Sequence, residues 1–416
     1  MRKVRNRVVK GRAILVNMLA IGLGAALLFT ACAAPSPTEE KKVVRYAFIG
    51  GFTGPIATVA QPGLHAHRHH LDYFNEERGI PGVTVDFTWA DTGYDLNRNI
   101  SAFRRLREQG VVAVLTFDGL ANHFYAKAAP RDQVPVHLLA ITADMLYPAQ
   151  EWIFSTAPSY AERFAVMADW IMENWKEERP PRVAFLMQDV PHVRAELGAS
   201  KQYAERIGME WIAPELIPSI PLDTSVQLLR LANQKVDFAY IGITEPPVMA
   251  ILRDAERLGL MDEISFCVFD WAFADALADY LGPLVEGVFG AKTNPAVREL
   301  DNPGVQWTWE IWGRYHETEP RFTYLVSMNT AYVVPEAIRL AIAKVGYENL
   351  DGRTVKEAWE TIEDLDPYGF GNPYTYTDPE LRRGSRWLRV YQFQDQVLVR
   401  VTDWREAPSL QPMPWP

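Results

Sequence analysis

The chain has 416 residues, 48% of them hydrophobic and 23% charged, which is globular composition with enough apolar side chain for a sizeable core. Gly 26 and Pro 29 exclude collagen-like and low-complexity classes. A formal net charge of −10 argues against a nucleic-acid binder working by phosphate neutralisation.

That charge is unevenly spread. Arg2, Lys3, Arg5, Arg7, Lys10 and Arg12 precede an apolar run over residues 13–29, and no Asp or Glu occurs before Glu39. The pattern predicts an export signal over 1–31; the other reading of the run is an uncleaved N-terminal anchor. Leu28-Phe29-Thr30-Ala31-Cys32 resembles a bacterial lipobox, with Phe29 in place of the usual aliphatic. The resemblance implies lipidation of Cys32 and an extracytoplasmic, membrane-anchored protein. Cleavage there removes six positive charges and leaves 36 basic and 52 acidic side chains, a net −16. Residues 32–42, with their prolines and charges, read as a tether.

From residue 43 the chain alternates strands and helices. Strands are predicted at 43–50, 83–90, 111–115 and 134–139, and helices at 63–77, 96–109 and 120–129. A second series begins after residue 158. Ser159 with Glu162 forms a capping box for a helix reaching about Trp175. Strands at 183–187, 236–241, 266–269 and 285–290 alternate with helices at 195–207, 248–258 and 272–281. Two βα series predict an α/β fold of two doubly wound parallel-sheet lobes. Helices follow at 302–316 and 324–345, with another capped by Thr354 and Glu357. Two strands, 387–393 and 397–401, come last. Residues 406–416, rich in proline, are expected to be disordered.

Chemistry-bearing motifs are few. Cys267 lies in an apolar run and reads as an inert buried thiol; two cysteines exclude cysteine-based zinc sites. His65-Ala66-His67-Arg68-His69-His70 places His65 and His69 four apart, the spacing of a two-histidine metal face. Arg68 sits amid the cluster, so a solvated helix face is expected, with His67 on the apolar stripe of Leu64, Leu71 and Phe74. Trp307, Trp309 and Trp312 are expected to pack between helices. There is no P-loop, no Gly-x-Ser-x-Gly, no His-Glu-x-x-His and no dinucleotide fingerprint, so no enzyme, cofactor or metal is expected.

The order of several short motifs resembles the type I periplasmic solute-binding proteins, in their branched-chain amino acid and amide branch. They are Phe48-Ile49-Gly50-Gly51-Phe52-Thr53-Gly54-Pro55, Asn75-Glu76-Glu77-Arg78-Gly79-Ile80-Pro81-Gly82 and Asp91-Thr92-Gly93-Tyr94-Asp95. Later come Ala255-Glu256-Arg257-Leu258-Gly259-Leu260, Glu286-Gly287-Val288 and Gly371-Asn372-Pro373-Tyr374-Thr375-Tyr376. The resemblance covers residues 43 to about 402. It implies two lobes joined by three crossovers with a solute in the cleft, where strand ends and helix N-termini meet. The first lobe would comprise 43–157 plus about 288–365, and the second 158–287 plus about 366–405.

Carried over residue by residue, the resemblance implies a ligand wall. In the first lobe it is Phe52, Thr53, Gly54 and Pro55, then Asp118, Ala121 and Asn122, then Ile141 and Thr142. Ala121 stands where the family keeps a hydroxyl, with Asn122 as a substitute. In the second lobe the wall is His192, where an aromatic residue is usual, then Thr244, Glu245, Asp270 and Trp271. Asp270 would hold a ligand ammonium, or serve only as a helix N-cap. The implied function is the substrate-binding component of an ABC importer for an amino acid, amide or related small polar metabolite. It would be a monomer docking on a membrane permease. A ligand-sensing receptor and a surface metal-binding protein are the alternatives.

Overall fold

The computed structural model describes residues 42–242 and 244–415. The expected leader, Cys32 and the tether up to Lys41 lie outside these residues. The first lobe opens with β1 (Lys42–Gly50), α1 (Ala57–Tyr73), β2 (Val83–Asp91) and α2 (Leu96–Glu108). It continues through β3 (Val114–Thr116), α3 (Asn122–Asp132), β4 (Val136–Leu138), α4 (Ala143–Leu146) and β5 (Ile153–Phe154). The five strands form a parallel sheet in the order β2-β1-β3-β4-β5. β1 is buried from Tyr46 to Gly50 and β3 along its whole length, because helices cover both faces of the sheet. Asp95 starts α2, its carboxylate accepting the Arg98 N–H at 2.8 Å.

The second lobe holds α5 (Tyr160–Asn174), β6 (Arg182–Gln188), α6 (Pro191–Arg206), β7 (Glu210–Trp211) and β8 (Glu215–Ile217). Next are α7 (Ser225–Asn233), β9 (Phe238–Ile241), α8 (Glu245–Arg257), β10 (Ser265–Val268), α9 (Ala276–Leu281) and β11 (Phe289–Lys292). The predicted Ser159–Glu162 capping box opens α5. The chain then returns to the first lobe as α10 (Pro303–Gly313), α11 (Phe322–Ala331), α12 (Val333–Val345) and α13 (Gly352–Trp359). It ends with β12 (Trp387–Gln394), β13 (Val397–Arg400) and β14 (Arg405–Glu406). The second sheet runs β13-β12-β11-β10-β9-β6-β7, with β12 antiparallel to β11.

Four expectations need correction. The crossover near residue 288 falls later, because β11 is buried on both faces and slots between β10 and β12 in the second sheet. The helix expected over 324–345 breaks at Tyr332, since Pro335 has no N–H and its ring opposes the Ala331 carbonyl. The cap of α13 is Asp351, which accepts the Thr354 N–H at 2.8 Å; Thr354 is inside the helix. Residues 406–415 are ordered. Leu410 is buried and donates its N–H to Glu162 at 3.2 Å, and Trp415 lies 6.1 Å from Trp211. Gly198 on α6 has no side chain where the tail crosses, and a Cβ there would stand 2.1 Å from the Met413 carbonyl.

The three crossovers lie side by side. The Ser155 carbonyl accepts from the Gly384 N–H at 2.6 Å and the Tyr376 hydroxyl at 2.9 Å, tying the first to the third. Asn372 Nδ2 donates to the Thr293 carbonyl at 2.6 Å, tying the third to the second.

One core residue sets an acid limit. His137 on β4 is fully buried 5.6 Å from the Trp359 ring, with no hydrogen-bond partner on either nitrogen, and burial lowers its pKa to about 3. The unfolded chain therefore binds a proton below pH 6.5 that the folded chain refuses, and stability is lost as pH falls through 6.5 toward 3. His137→Leu removes the burden. Its stability advantage over the parent should grow by about 2 kcal/mol between pH 7 and pH 5 in urea unfolding. An advantage independent of pH would show that His137 is protonated in the fold.

Candidate functional site

The carboxyl ends of β1, β3 and β4 face those of β6, β9 and β10 across the interlobe cleft, and the two lobes touch there. Phe117, just after β3, packs edge-on to Trp271 at 5.7 Å. Phe117 is held by α1, where Gly63 leaves room: a Cβ there would stand 2.5 Å from the Phe117 ring. The turn at Gly119 meets His192, at the start of α6, so closely that a Cβ on Gly119 would lie 3.3 Å from His192 Cγ.

At the second of these contacts is a cavity of about 50 Å³, whose lining includes Gly119, Asn122, His123, Thr142 and Asp144 of the first lobe and Pro191 and His192 of the second. Its volume suits roughly three or four water-sized groups, the dimensions of a polar head group. Asn122 donates Nδ2 to the Ala140 carbonyl at 2.9 Å, and its Oδ1 is buried without a partner. His192 Nδ1 is also buried without a partner, and burial lowers the imidazole pKa to about 4, so the ring is neutral near pH 7. Its ring lies edge-on to Tyr160 at 5.9 Å. Thr142, almost fully buried, adds a hydroxyl, and Asp144 Oδ1 is a third buried atom without a partner.

Beside this cavity Glu196 of α6 crosses the lobes. One carboxylate oxygen accepts the Ala143 N–H of the first lobe at 2.7 Å; the other accepts the Ala161 N–H of the second, also at 2.7 Å. Burial pushes its pKa up to about 8, against the pull of those two donors.

The remaining expected wall residues are held mostly by their own lobes. Asp118 turns inward. Its carboxylate accepts from Gly51 N at 2.9 Å, Thr92 Oγ1 at 2.5 Å and Asn99 Nδ2 at 2.6 Å, and burial raises its pKa. It fastens the loops after β1 and β2 to α2. Thr53, Gly54 and Pro55 form an exposed turn held by Asp91, which accepts the Thr53 hydroxyl at 2.6 Å. Phe52 packs edge-on to Phe48 at 5.1 Å and Trp89 at 5.7 Å. Ala121 and Ile141 are core residues of the first lobe. Thr244 accepts from Gln188 Nε2 at 2.7 Å within the second. Glu245 lines a separate interlobe cavity of about 350 Å³ with Asp279, Glu319 and Arg321. Burial raises its pKa, while Arg321 and Lys292 lower it.

Asp270 has a partner that no local pattern announced. Its Oδ2 accepts from Arg163 Nη1 at 3.1 Å and from the Thr293 hydroxyl at 2.7 Å; Asp270 is 3% and Arg163 1% exposed. Arg163 Nε donates to the Pro158 carbonyl at 2.9 Å. The pair thus joins the first crossover to the second. From Thr293 the bonds run through Asn294 to Asn329 on α11, at 3.1 and 2.8 Å. Asp270 Oδ1 and Arg163 Nη2 are buried without partners.

The histidine cluster departs from the expected solvated face. His67, His69 and His70 are buried; only His65 and Arg68 are exposed. His69 stacks on Tyr315 at 3.7 Å and shares a 2.9 Å hydrogen bond with the Tyr324 hydroxyl, and His70 shares one of 2.9 Å with Tyr368. Burial lowers both pKa values, to about 4 and about 3. Helices α10 and α11 cover this face of α1, which a single amphipathic pattern could not reveal. Among the described residues no group of three or more His, Cys, Asp or Glu could hold a metal ion. Burial pushes the Cys267 thiol up and keeps it unreactive. No described helix is long and apolar enough to cross a membrane.

Two doubly wound lobes, three adjoining crossovers and a polar cavity between them define a cleft-binding protein. A model of the periplasmic binding protein family matches residues 43–396, and the chain belongs to that family. Among curated proteins none matches. A branched chain amino acid ABC transporter from Thermus thermophilus with bound valine superposes with a TM-score of 0.80 at 22% identity, over 88% of this chain and 97% of that one. A fatty acid ABC transporter substrate-binding protein from Thermomonospora curvata gives 0.77 at 19%, over 88% and 92%. A solute binding protein of an ABC transporter from Rhodopseudomonas palustris HaA2, in complex with p-hydroxybenzoic acid, gives 0.73 at 15%, over 88% and 98%. These likenesses show the shared two-lobed fold.

Proposed function

We propose that the chain is the extracytoplasmic substrate-binding component of an ABC importer for an amino acid, amide or related small polar metabolite. It is a monomer, carries its lipid on Cys32, catalyses no reaction and presents its closed form to a membrane permease. The observation that carries this reading is the cavity between the lobes, where Asn122 Oδ1 and His192 Nδ1 are buried without partners beside Thr142. Unmet polar atoms cost free energy unless a ligand or water meets them, so the cleft is built for a polar group. Solute bound there touches both lobes and stabilises closure by its differential contacts. The similar structures name valine, a fatty acid and p-hydroxybenzoic acid, three unlike solutes, so the ligand follows from this chain's own wall.

The test is a thermal-shift screen of purified protein against amino acids, amides, urea and small carboxylates. A solute at a hundred times its Kd should stabilise the fold by about 2.7 kcal/mol. Thr142→Ala and His192→Phe should each weaken that solute by tenfold or more in calorimetry. Unchanged affinity in both variants would move the solute away from this cavity.

A further inference from the structure

Glu196 does more than fill space beside the cavity. Its two oxygens take one backbone N–H from each lobe, Ala143 and Ala161, at 2.7 Å apiece. In a two-lobed cleft, free backbone N–H groups where helices start beyond the strand ends are the natural donors for a ligand anion. Here both donors are spent on a carboxyl group that the chain itself supplies. The neighbouring cavity is poor ground for a second one. It is lined by Asp144, whose Oδ2 lies 3.4 Å from His123 Nε2, and by no Lys or Arg, and both Asp144 and Glu162 act on Glu196 as like charges. The polar atoms left unmet there are Asn122 Oδ1, His192 Nδ1 and Asp144 Oδ1, and none of them belongs to a cation. An acceptor oxygen such as Asn122 Oδ1 wants a donor from the ligand.

Resting on the reading of the chain as a solute-binding protein, we infer that Glu196 sets the specificity of the cleft. Its side chain occupies the place of a solute carboxylate, holds the lobes together, and leaves the cavity to solutes whose polar end is uncharged or cationic, carboxamides foremost. A carboxamide offers N–H to Asn122 Oδ1 and a carbonyl oxygen to the Thr142 hydroxyl. A carboxylate offers only acceptors and meets Asp144.

Matched pairs test this: L-valinamide against L-valine, and benzamide against benzoate, each by calorimetry on the whole protein and on Glu196→Ala. In the parent, the amide of at least one pair should bind tenfold or more tightly than its acid. In Glu196→Ala the Ala143 and Ala161 N–H groups are free, and the acid should gain at least tenfold. Glu196→Gln, which keeps the shape, should fall between them and stands in if the alanine variant does not fold. An acid that binds the parent more tightly than its amide, or a ratio unmoved in both variants, would overturn the inference. Solute-free small-angle scattering reads the clamp separately. Glu196→Ala should have a larger radius of gyration than the parent, and identical profiles would overturn the clamp. If none of the four probes binds, the carboxamide class falls. A hit elsewhere in the wider solute screen would then leave the binding function standing, whereas an empty screen would remove that function too.

Discussion

Glu162→Ala should cost about 3–5 kcal/mol in urea unfolding, one of the two largest losses expected from a single substitution in this protein. Glu162 is fully buried and forms an ion pair with Arg383, itself 2% exposed. Its carboxylate also accepts from the Tyr147 hydroxyl at 2.6 Å, the Ser159 N–H at 2.8 Å and the Leu410 N–H at 3.2 Å. One side chain therefore caps α5, pins the third crossover through Arg383 and holds the C-terminal tail. Removing it strands a guanidinium in the interior, and an unpaired buried charge costs far more than the pair contributes. The double variant Glu162→Gln with Arg383→Met should accordingly recover much of the loss. A single-variant loss below about 1 kcal/mol would show that water reaches Arg383 and that the pair behaves as an exposed one.

The second large effect is at Asp270. Asp270→Ala should lower stability by about 3–5 kcal/mol in the absence of any solute, because Arg163 is left unpaired at 1% exposure. The Thr293 hydroxyl and N–H lose their acceptor at the same time. An Asp270 that served only to hold a ligand ammonium would leave the solute-free melting curve where it was. Arg163→Leu in the Asp270→Leu background should restore much of the stability, since a well-packed apolar pair avoids the desolvation of two charges. A solute-free Asp270→Ala protein as stable as its parent would remove the ion pair from the hinge. The residue would then be a candidate for ligand contact through Oδ1, its unpartnered oxygen.

Local rules made much of the scaffold legible. Strand and helix alternation at α/β pitch and the Ser159–Glu162 capping box depend on residues within four positions of each other. Misreadings arose where a distant element decided the outcome. The histidines of α1 are buried because α10 and α11 return, some 240 residues later, to cover them. The tail is ordered because α6 has a bare glycine to receive it and Glu162 an oxygen to bind it.

The candidate site divides in the same way. By itself the sequence determined the family's motif order and the two-lobed α/β fold, since hydrophobic period and cap chemistry are carried by neighbouring residues. Tertiary structure alone decided what the expected wall residues do. Asp118 turns into its own lobe, Arg163 neutralises Asp270 from 107 positions away, and Glu196 spans the lobes to Ala143. Burial makes each of these bonds decisive, because a polar group cut off from water must find its partner within the fold. Which partner it finds is set by how the two sheets pack, and no spacing along the chain encodes that.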